Sequence, residues 1–411
     1  MSALAYNIGI QLYGLGIYIA SLFNKKAALW IEGRKDWKTK LQPKSATTQK
    51  TAWFHCASLG EFEQARPLIE KLKQERPDYR IVLSFFSPSG YEVRKNYSGA
   101  DVVTYLPLDT PQNAKQFIAL IQPNVAFFVK YEFWYNYLSE LKNKGIPTIL
   151  FSAIFRKEQV FFAWYGGLFR QMLKMFTSIF VQTETSQKLL AGIGIKSVVA
   201  NDTRFDRVYQ IAQNRQQLPL IEKFKGTAPL LIAGSTWPKD EELLLQLIAQ
   251  GILKGYKYII APHDIDSERI DKLTAQLGSK VVKLSQLNDG NAANAEVIVV
   301  DSIGQLTFIY AYGTIAYVGG GFNASVHNVL EPAVYGMPVI FGPNHQKSAE
   351  ALQLIARGAG FCITDAASLN SIVASLLQNN KLPTSANAAK QYVAENPGGT
   401  AVIWNVVNTL L

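Results

Sequence analysis

Charge is missing from the first 23 residues, MSALAYNIGIQLYGLGIYIASLF, and cysteine is nearly missing from all 411, with only Cys56 and Cys362. Two thiols so far apart, with no CxxC or metal-ligand context, give no disulfide framework and read as buried thiols of a reducing compartment. Low-complexity tracts and short-period repeats are absent as well. A GxGxxG fingerprint and a GxxxxGK[ST] loop are lacking, which argues against a dehydrogenase or an ATPase. There is no Gly-x-Ser-x-Gly elbow, and no His, Cys and Asp cluster has metal-ligand spacing.

The charge-free segment is long enough to span a bilayer or to lie deep in its surface. Directly after it come Lys25, Lys26, Arg34, Lys35, Lys38, Lys40, Lys44 and Lys50, against two acids, Glu32 and Asp36. Cations on that side follow the positive-inside rule and would leave the rest of the chain cytoplasmic. A secretory signal peptide would carry its positive charges ahead of the apolar core and a small-residue cleavage site behind it. Residues 25–50 hold +6 of the chain's net +10. That clustering suits anionic lipid head groups. The remainder shows no basic stripe with interleaved aromatics, so no nucleic-acid partner is expected. The plain alternative is a helix packed on the protein itself.

With 411 residues, 48% of them hydrophobic, two domains are expected. Apolar runs at 51–58, 80–87, 102–108, 125–130, 148–153 and 178–183 read as buried strands, with helical patterns between them at 62–75 and 111–121. A second series, 229–235, 256–262, 296–301, 314–320 and 337–343, alternates with helical patterns at 240–252, 268–277 and 348–357. Continuous apolar strands alternating with helices predict an α/β chain of two doubly wound parallel-sheet domains. The junction lies within 205–228. The expected layout is an anchor helix over 1–24, a basic linker over 25–50, a first domain over 51–205 and a second over 206–411, whose last helix can pack back on the first domain. In such sheets ligands bind at the carboxyl ends of strands, so the loops there carry the candidates.

Ser58-Leu59-Gly60-Glu61 follows the first strand and opens a helix. Its carboxylate either complements the helix dipole or serves as a general base. Lys130-Tyr131-Glu132-Phe133-Trp134 puts charge at another strand end, as a site or as a solvated end. Asn201 to Asp206 holds Arg204, which suits a phosphate or an ordinary linker ion pair. Gly319-Gly320-Gly321 ends a strand ahead of Asn328 and Glu331. The expectation is a concave array of backbone N–H groups running into a helix start, with Glu331 one turn inside and facing ribose hydroxyls. His263-Asp264 and Asp301-Ser302 follow further strands, with capping as the alternative to ligand binding.

Taken together, His55-x-x-Ser58-x-Gly60-Glu61, Glu132-x-Trp134-x-Asn136, Phe205-Asp206, Ala233-Gly234-Ser235-Thr236, Asp301-x-x-Gly304, Gly319-Gly320 and His327-Asn328-x-x-Glu331-Pro332 resemble the 3-deoxy-D-manno-octulosonic acid (Kdo) transferases. The resemblance runs to about residue 350. It implies a GT-B glycosyltransferase with two Rossmann-like domains, anchored at the cytoplasmic face of the cell inner membrane. It implies inverting transfer of Kdo from CMP-Kdo to a lipid A precursor of the lipid IVA type, without cofactor or metal. Glu61 matches the family's catalytic base, and Glu132 and Arg204 belong to the same catalytic set.

The family's cytidine nucleotide contacts fall on His263 and Asp264, on Ile303, Gly304 and Gln305, and on Asn328, Val329, Leu330 and Glu331. Ser58, Gly60, Gly319 and Gly320 join them as expected nucleotide-sugar contacts. The family usually has Glu at Lys130, Lys at Arg204, Arg-His at His263-Asp264, Glu at Gln305 and Ser at Gly321. Arg204 keeps the positive charge, whereas Lys130 reverses one. Aromatics at 161–165 can meet acyl chains or fill a core. Alternatives are a GT-B transferase or epimerase using a uridine nucleotide sugar, and a non-catalytic membrane scaffold that retains a nucleotide fold.

Overall fold

The computed structural model describes residues 2–41 and 49–411. They form two compact units, one of residues 2–207 with 397–411 and one of residues 208–396. The division falls two residues beyond the expected 205, and the closing segment belongs to the first unit.

The first unit holds β1 (Thr51–Cys56), β2 (Arg80–Phe85), β3 (Val102–Tyr105), β4 (Val125–Val129), β5 (Thr148–Ala153), β6 (Ser178–Val181) and β7 (Val198–Val199). They pair in the order β3-β2-β1-β4-β5-β6-β7, every pair parallel. Side chains alternate across a strand, so neighbouring residues feed opposite faces. Trp53 and Phe128 enter one apolar cluster. Phe54 and Phe127 enter the other, their rings stacked 4.3 Å apart. Both faces are covered, which is why these strands are continuously apolar. The helix Gly399–Val407 adds Ile403, Trp404 and Val407 to the second cluster. Asp206 accepts the Gly398 and Thr400 amides at 2.5 and 2.7 Å and so caps that helix.

The described part of the N-terminal region is three helices joined by short turns. Helix α1 (Ala3–Ser21) has no buried residue, and α2 (Lys25–Gly33) and α3 (Trp37–Lys40) follow. The basic linker is therefore no plain tether: Trp30, Trp37 and Leu41 are buried. Arg34 leaves the surface too. Its guanidinium sits 3.6 Å from the Trp30 ring centre and donates to the Phe86 and Leu106 carbonyls. Lys44 lies outside the described residues.

The second unit holds β8 (Leu230–Thr236), β9 (Lys257–Pro262), β10 (Val281–Lys283), β11 (Val297–Val299), β12 (Ile315–Val318), β13 (Val339–Phe341) and β14 (Gly360–Cys362). Their order is β10-β11-β9-β8-β12-β13-β14, again parallel. Strand order reverses between β1 and β4 in one sheet and between β8 and β12 in the other. Those reversals are the switch points at which open α/β sheets take their ligands.

Candidate active site

In the first unit the switch point carries two carboxylates. Glu61 stands in the first turn of α4 (Leu59–Glu75), where it forms a capping box with Ser58. Its Oε2 accepts the Ser58 amide at 3.1 Å and the Ser58 hydroxyl. Among the described contacts Oε1 takes none, so the cap clamps one carboxylate oxygen and leaves the other. Gly60 beside it is exposed.

Glu132, after β4, is 8% exposed and joins a buried relay. Its Oε2 lies 2.8 Å from His55 Nε2 and accepts the Trp134 indole N–H at 2.7 Å. His55 Nδ1 lies 2.9 Å from the Ser84 hydroxyl, which itself accepts the Trp53 indole N–H at 2.8 Å. Nδ1 also lies 3.2 Å from the Ser84 carbonyl, and the Ser84 hydroxyl donates to the Phe54 carbonyl at 3.4 Å, so both ring nitrogens of His55 are engaged. Lys130, between strand and site, adopts a left-handed φ of 65°, a costly conformation for a residue with a Cβ. Burial pushes the Cys56 thiol up, and the charges of Glu61 and Glu132 add to it. Cys362 is only half-buried, unlike the expected buried thiol.

Arg204 is held by Asp202, with its terminal nitrogen 2.7 Å from Oδ2 and its Nε 3.1 Å from Oδ1. Burial alone would raise the Asp202 carboxyl. The Arg204 guanidinium, with help from Gln64, outweighs that and holds it below the usual range.

In the second unit the loop after β8 brings up Trp237, which lies outside every motif of the sequence reading. Its indole donates to His327 Nε2 at 3.0 Å, and the exposed His263 stacks on both rings, 4.7 Å from Trp237 and 4.4 Å from His327. Burial lowers both imidazoles, His327 to about 4. Asp264 is exposed beside them.

The glycine triplet differs from expectation. The Gly319 amide is spent on the Gly234 carbonyl at 2.9 Å and the Gly320 amide on the buried Asp240 carboxylate at 3.2 Å. No open array of N–H donors results from these two residues. They are there for close packing instead: a Cβ on Gly319 would fall 2.2 Å from the Ser235 carbonyl oxygen. Turns fill the stretch after the triplet, and the helix is the short Leu330–Ala333. Glu331 thus lies in its first turn, not a turn inside.

Glu331 Oε1 accepts Asn328 Nδ2 and Oε2 accepts the Thr307 hydroxyl, each at 2.9 Å. Asn328 Oδ1 accepts the Leu330 amide at 3.1 Å, so the Asn328–Glu331 turn is tied to itself. Val329 and Leu330 are buried under it. Ile303 projects 75% exposed, next to Gly304 at φ 90°, and Gln305 precedes the helix Leu306–Ile309 without a side-chain cap bond to it. Asp301, an expected cap, instead bonds Ser285. Beside this loop a cavity of about 280 Å³ is lined by Leu218, Ile221, Leu287, Ser302, Gln305 and Ile309.

Two seven-stranded parallel units in tandem, with candidate groups near the switch point of each sheet, make a GT-B-like α/β fold. Solved structures agree on the fold: UDP-GlcNAc 2-epimerase from Neisseria meningitidis superposes with a TM-score of 0.60 at 13% identity, over 88% of this chain and 100% of that one. Residues 35–207 match the family model of 3-deoxy-D-manno-octulosonic-acid transferase. The enzyme of that name from Aquifex aeolicus is 31% identical over 338 residues, 80% of this chain and 86% of its own. The one from Chlamydophila psittaci is 28% identical over 352 residues, 82% and 80%. The chain belongs to the 3-deoxy-D-manno-octulosonic acid transferase family, and its activity is Kdo transfer.

Proposed function

We propose that the chain transfers Kdo from CMP-Kdo to a sugar hydroxyl of a lipid A precursor of the lipid IVA type, with inversion and with Glu61 as general base. The observation that carries this reading is the divided Glu61 carboxylate, clamped through Oε2 by Ser58 with Oε1 left to accept a proton. The acceptor O–H gives its proton to Oε1. Its oxygen attacks the anomeric carbon of Kdo from the face opposite the phosphate. The carbon–oxygen bond to phosphate breaks, and CMP leaves with the electron pair. Glu132 holds the neighbouring strand end through His55 and Trp134. Arg204 supplies positive charge for the phosphate, while the Asn328–Glu331 turn and His263 serve the cytidine and ribose. Donors preorganised where charge develops supply most of such an acceleration.

The acceptor's lipid nature draws support from α1, a 19-residue helix in which an 18-residue stretch has a mean hydropathy of 1.3. Leu4, Ile8, Leu12, Leu15, Ile19 and Leu22 are all more than half exposed and recur at helical spacing as one outward stripe. The opposite side is bonded to the first unit through Tyr6 and Asn7. A helix held along its length suits the plane of the inner membrane's cytoplasmic surface. The test is incubation of the full chain in vesicles with CMP-Kdo and lipid A precursor, followed by mass spectrometry. Addition of Kdo with release of CMP is expected; no mass gain on the lipid would overturn the acceptor assignment.

A further inference from the structure

The helix Tyr135–Asn143 starts three residues after Glu132 without a local cap, since Trp134 offers its N-terminus no side-chain acceptor. A helix start leaves its first N–H groups in need of partners. Here they come from far away in the chain. Asp109, 1% exposed, accepts the Asn136 amide on Oδ2 and the Tyr137 amide on Oδ1, both at 3.1 Å. A carboxylate there also opposes the positive end of the helix dipole. The Tyr135 amide goes to the hydroxyl of Tyr6 at 3.3 Å, and Tyr6 in turn donates to Asp109 Oδ2 at 2.7 Å. Asn136 Nδ2 closes the set by donating to Asn7 Oδ1 at 2.8 Å and to the Asp109 carbonyl at 2.6 Å.

Tyr6 and Asn7 belong to α1. A second line of contact runs through rings. Trp134, which bonds Glu132, stacks on Phe86 at 4.8 Å, and Phe86 stacks on Tyr13 of α1 at 6.2 Å. α1 also comes close at Gly14, where a Cβ would fall 2.7 Å from the Leu108 Cδ2 methyl group. The six residues 132–137 therefore carry a site carboxylate at one end and the seat of the apolar helix at the other.

We propose that Tyr6 and Asp109 are positioning residues that couple the seating of α1 to the placement of Glu132 and Trp134, so that the lipid-facing helix is part of the frame of the acceptor side. The inference rests on the functional reading above for the role of Glu132. The outward stripe of α1 does not contain Tyr6. Lipid attachment and site geometry can therefore be broken separately.

The experiment uses full-length protein in vesicles containing anionic lipid. Tyr6→Phe keeps the ring and removes the hydroxyl, and Asp109→Asn keeps the shape and removes the charge. Both variants should still pellet with vesicles and bind CMP as the wild type does. Amide exchange at 135–137 should quicken by about tenfold. The kcat for transfer should fall by about tenfold or more, since small misplacements of positioned groups are costly, with less change in KM for donor. Leu12→Ser, on the outward stripe, should instead reduce pelleting and leave exchange at 135–137 in the retained fraction unchanged. Wild-type exchange and wild-type kcat in Tyr6→Phe would overturn the coupling. Quickened exchange with unchanged kcat would also overturn it, leaving a purely structural cap. Absence of Kdo transfer by the wild type, with quickened exchange in the variant, would instead count against the functional reading.

Discussion

Trp237 donates its indole N–H to Nε2 of His327 across 3.0 Å, the two rings parallel to within 9°. A protonated His327 would turn N–H against N–H there, which agrees with an imidazole pushed down from 6.5 to about 4 by burial and by His263, with Asp264 opposing.

The pH dependence follows from that shift. The folded value lies below the unfolded one, so the unfolded chain binds more protons between about 4 and 6.5. The contribution of His327 to stability is complete above this window and is lost as pH falls through it. His327→Gln removes the titration. The difference in thermal midpoint between wild type and variant should shrink steadily from pH 7 toward pH 4. A difference independent of pH would contradict the assignment.

Asp109 should show the opposite slope. Burial raises its carboxyl from 3.8 to about 6, while bonds from Tyr6 and Asn136 pull it back. Here the folded chain binds more protons between about 3.8 and 6, so stability from this group falls as pH rises through that window. Loss of the Tyr6 hydroxyl removes a bond to the charged form and should raise the carboxyl further. Carboxyl NMR of wild type and Tyr6→Phe reads this directly; an unchanged or lower value would be wrong for the geometry.

Glu61→Gln should lower turnover by about 10²–10⁴ while CMP affinity stays near wild type, because only the base is lost. Part of the cap also goes, so a modest loss of stability should accompany it. Single-turnover assays with saturating donor are the measurement. Turnover above about a third of wild type would remove Glu61 from the role of base.

Glu331→Ala should weaken CMP binding by roughly ten- to a hundredfold, the worth of a charged hydrogen bond. It also strands Asn328 and Thr307, so Thr307→Ala should copy a small part of the loss. Calorimetric titration of CMP decides. Equal affinity in Glu331→Ala would move the ribose elsewhere.

Much of the fold was legible because its strands are apolar on both faces. The run at 148–153 matches β5 residue for residue, and 111–121 is a helix as read. β7, β10 and β14 were not visible. They hold two or three residues each, mostly half-buried at or near sheet edges, too few to show a pattern. The helix start at Ser58-Leu59-Gly60-Glu61 was readable because its signal is local, although the capping box between Ser58 and Glu61 was not read. The links His55 to Glu132 and Tyr6 to Asp109 span 77 and 103 residues. No periodicity announces a bond of that separation. The glycine triplet misled for a physical reason: the amides expected to be free are taken by Gly234 and by Asp240, an acid that looks like any helix-opening residue in sequence.

The return of 397–411 to the first unit sets an order of events during synthesis. Residues 208–396 are contiguous and can close their core as soon as they are made. The first unit must wait through all of that time with Ile403, Trp404 and Val407 still missing from its cluster. Asp206 is equally idle until Gly398 and Thr400 arrive. The earlier unit is thus the later one to finish, and a stop codon directly after Asn396 would leave a complete second unit with a first one that lacks Ile403, Trp404 and Val407.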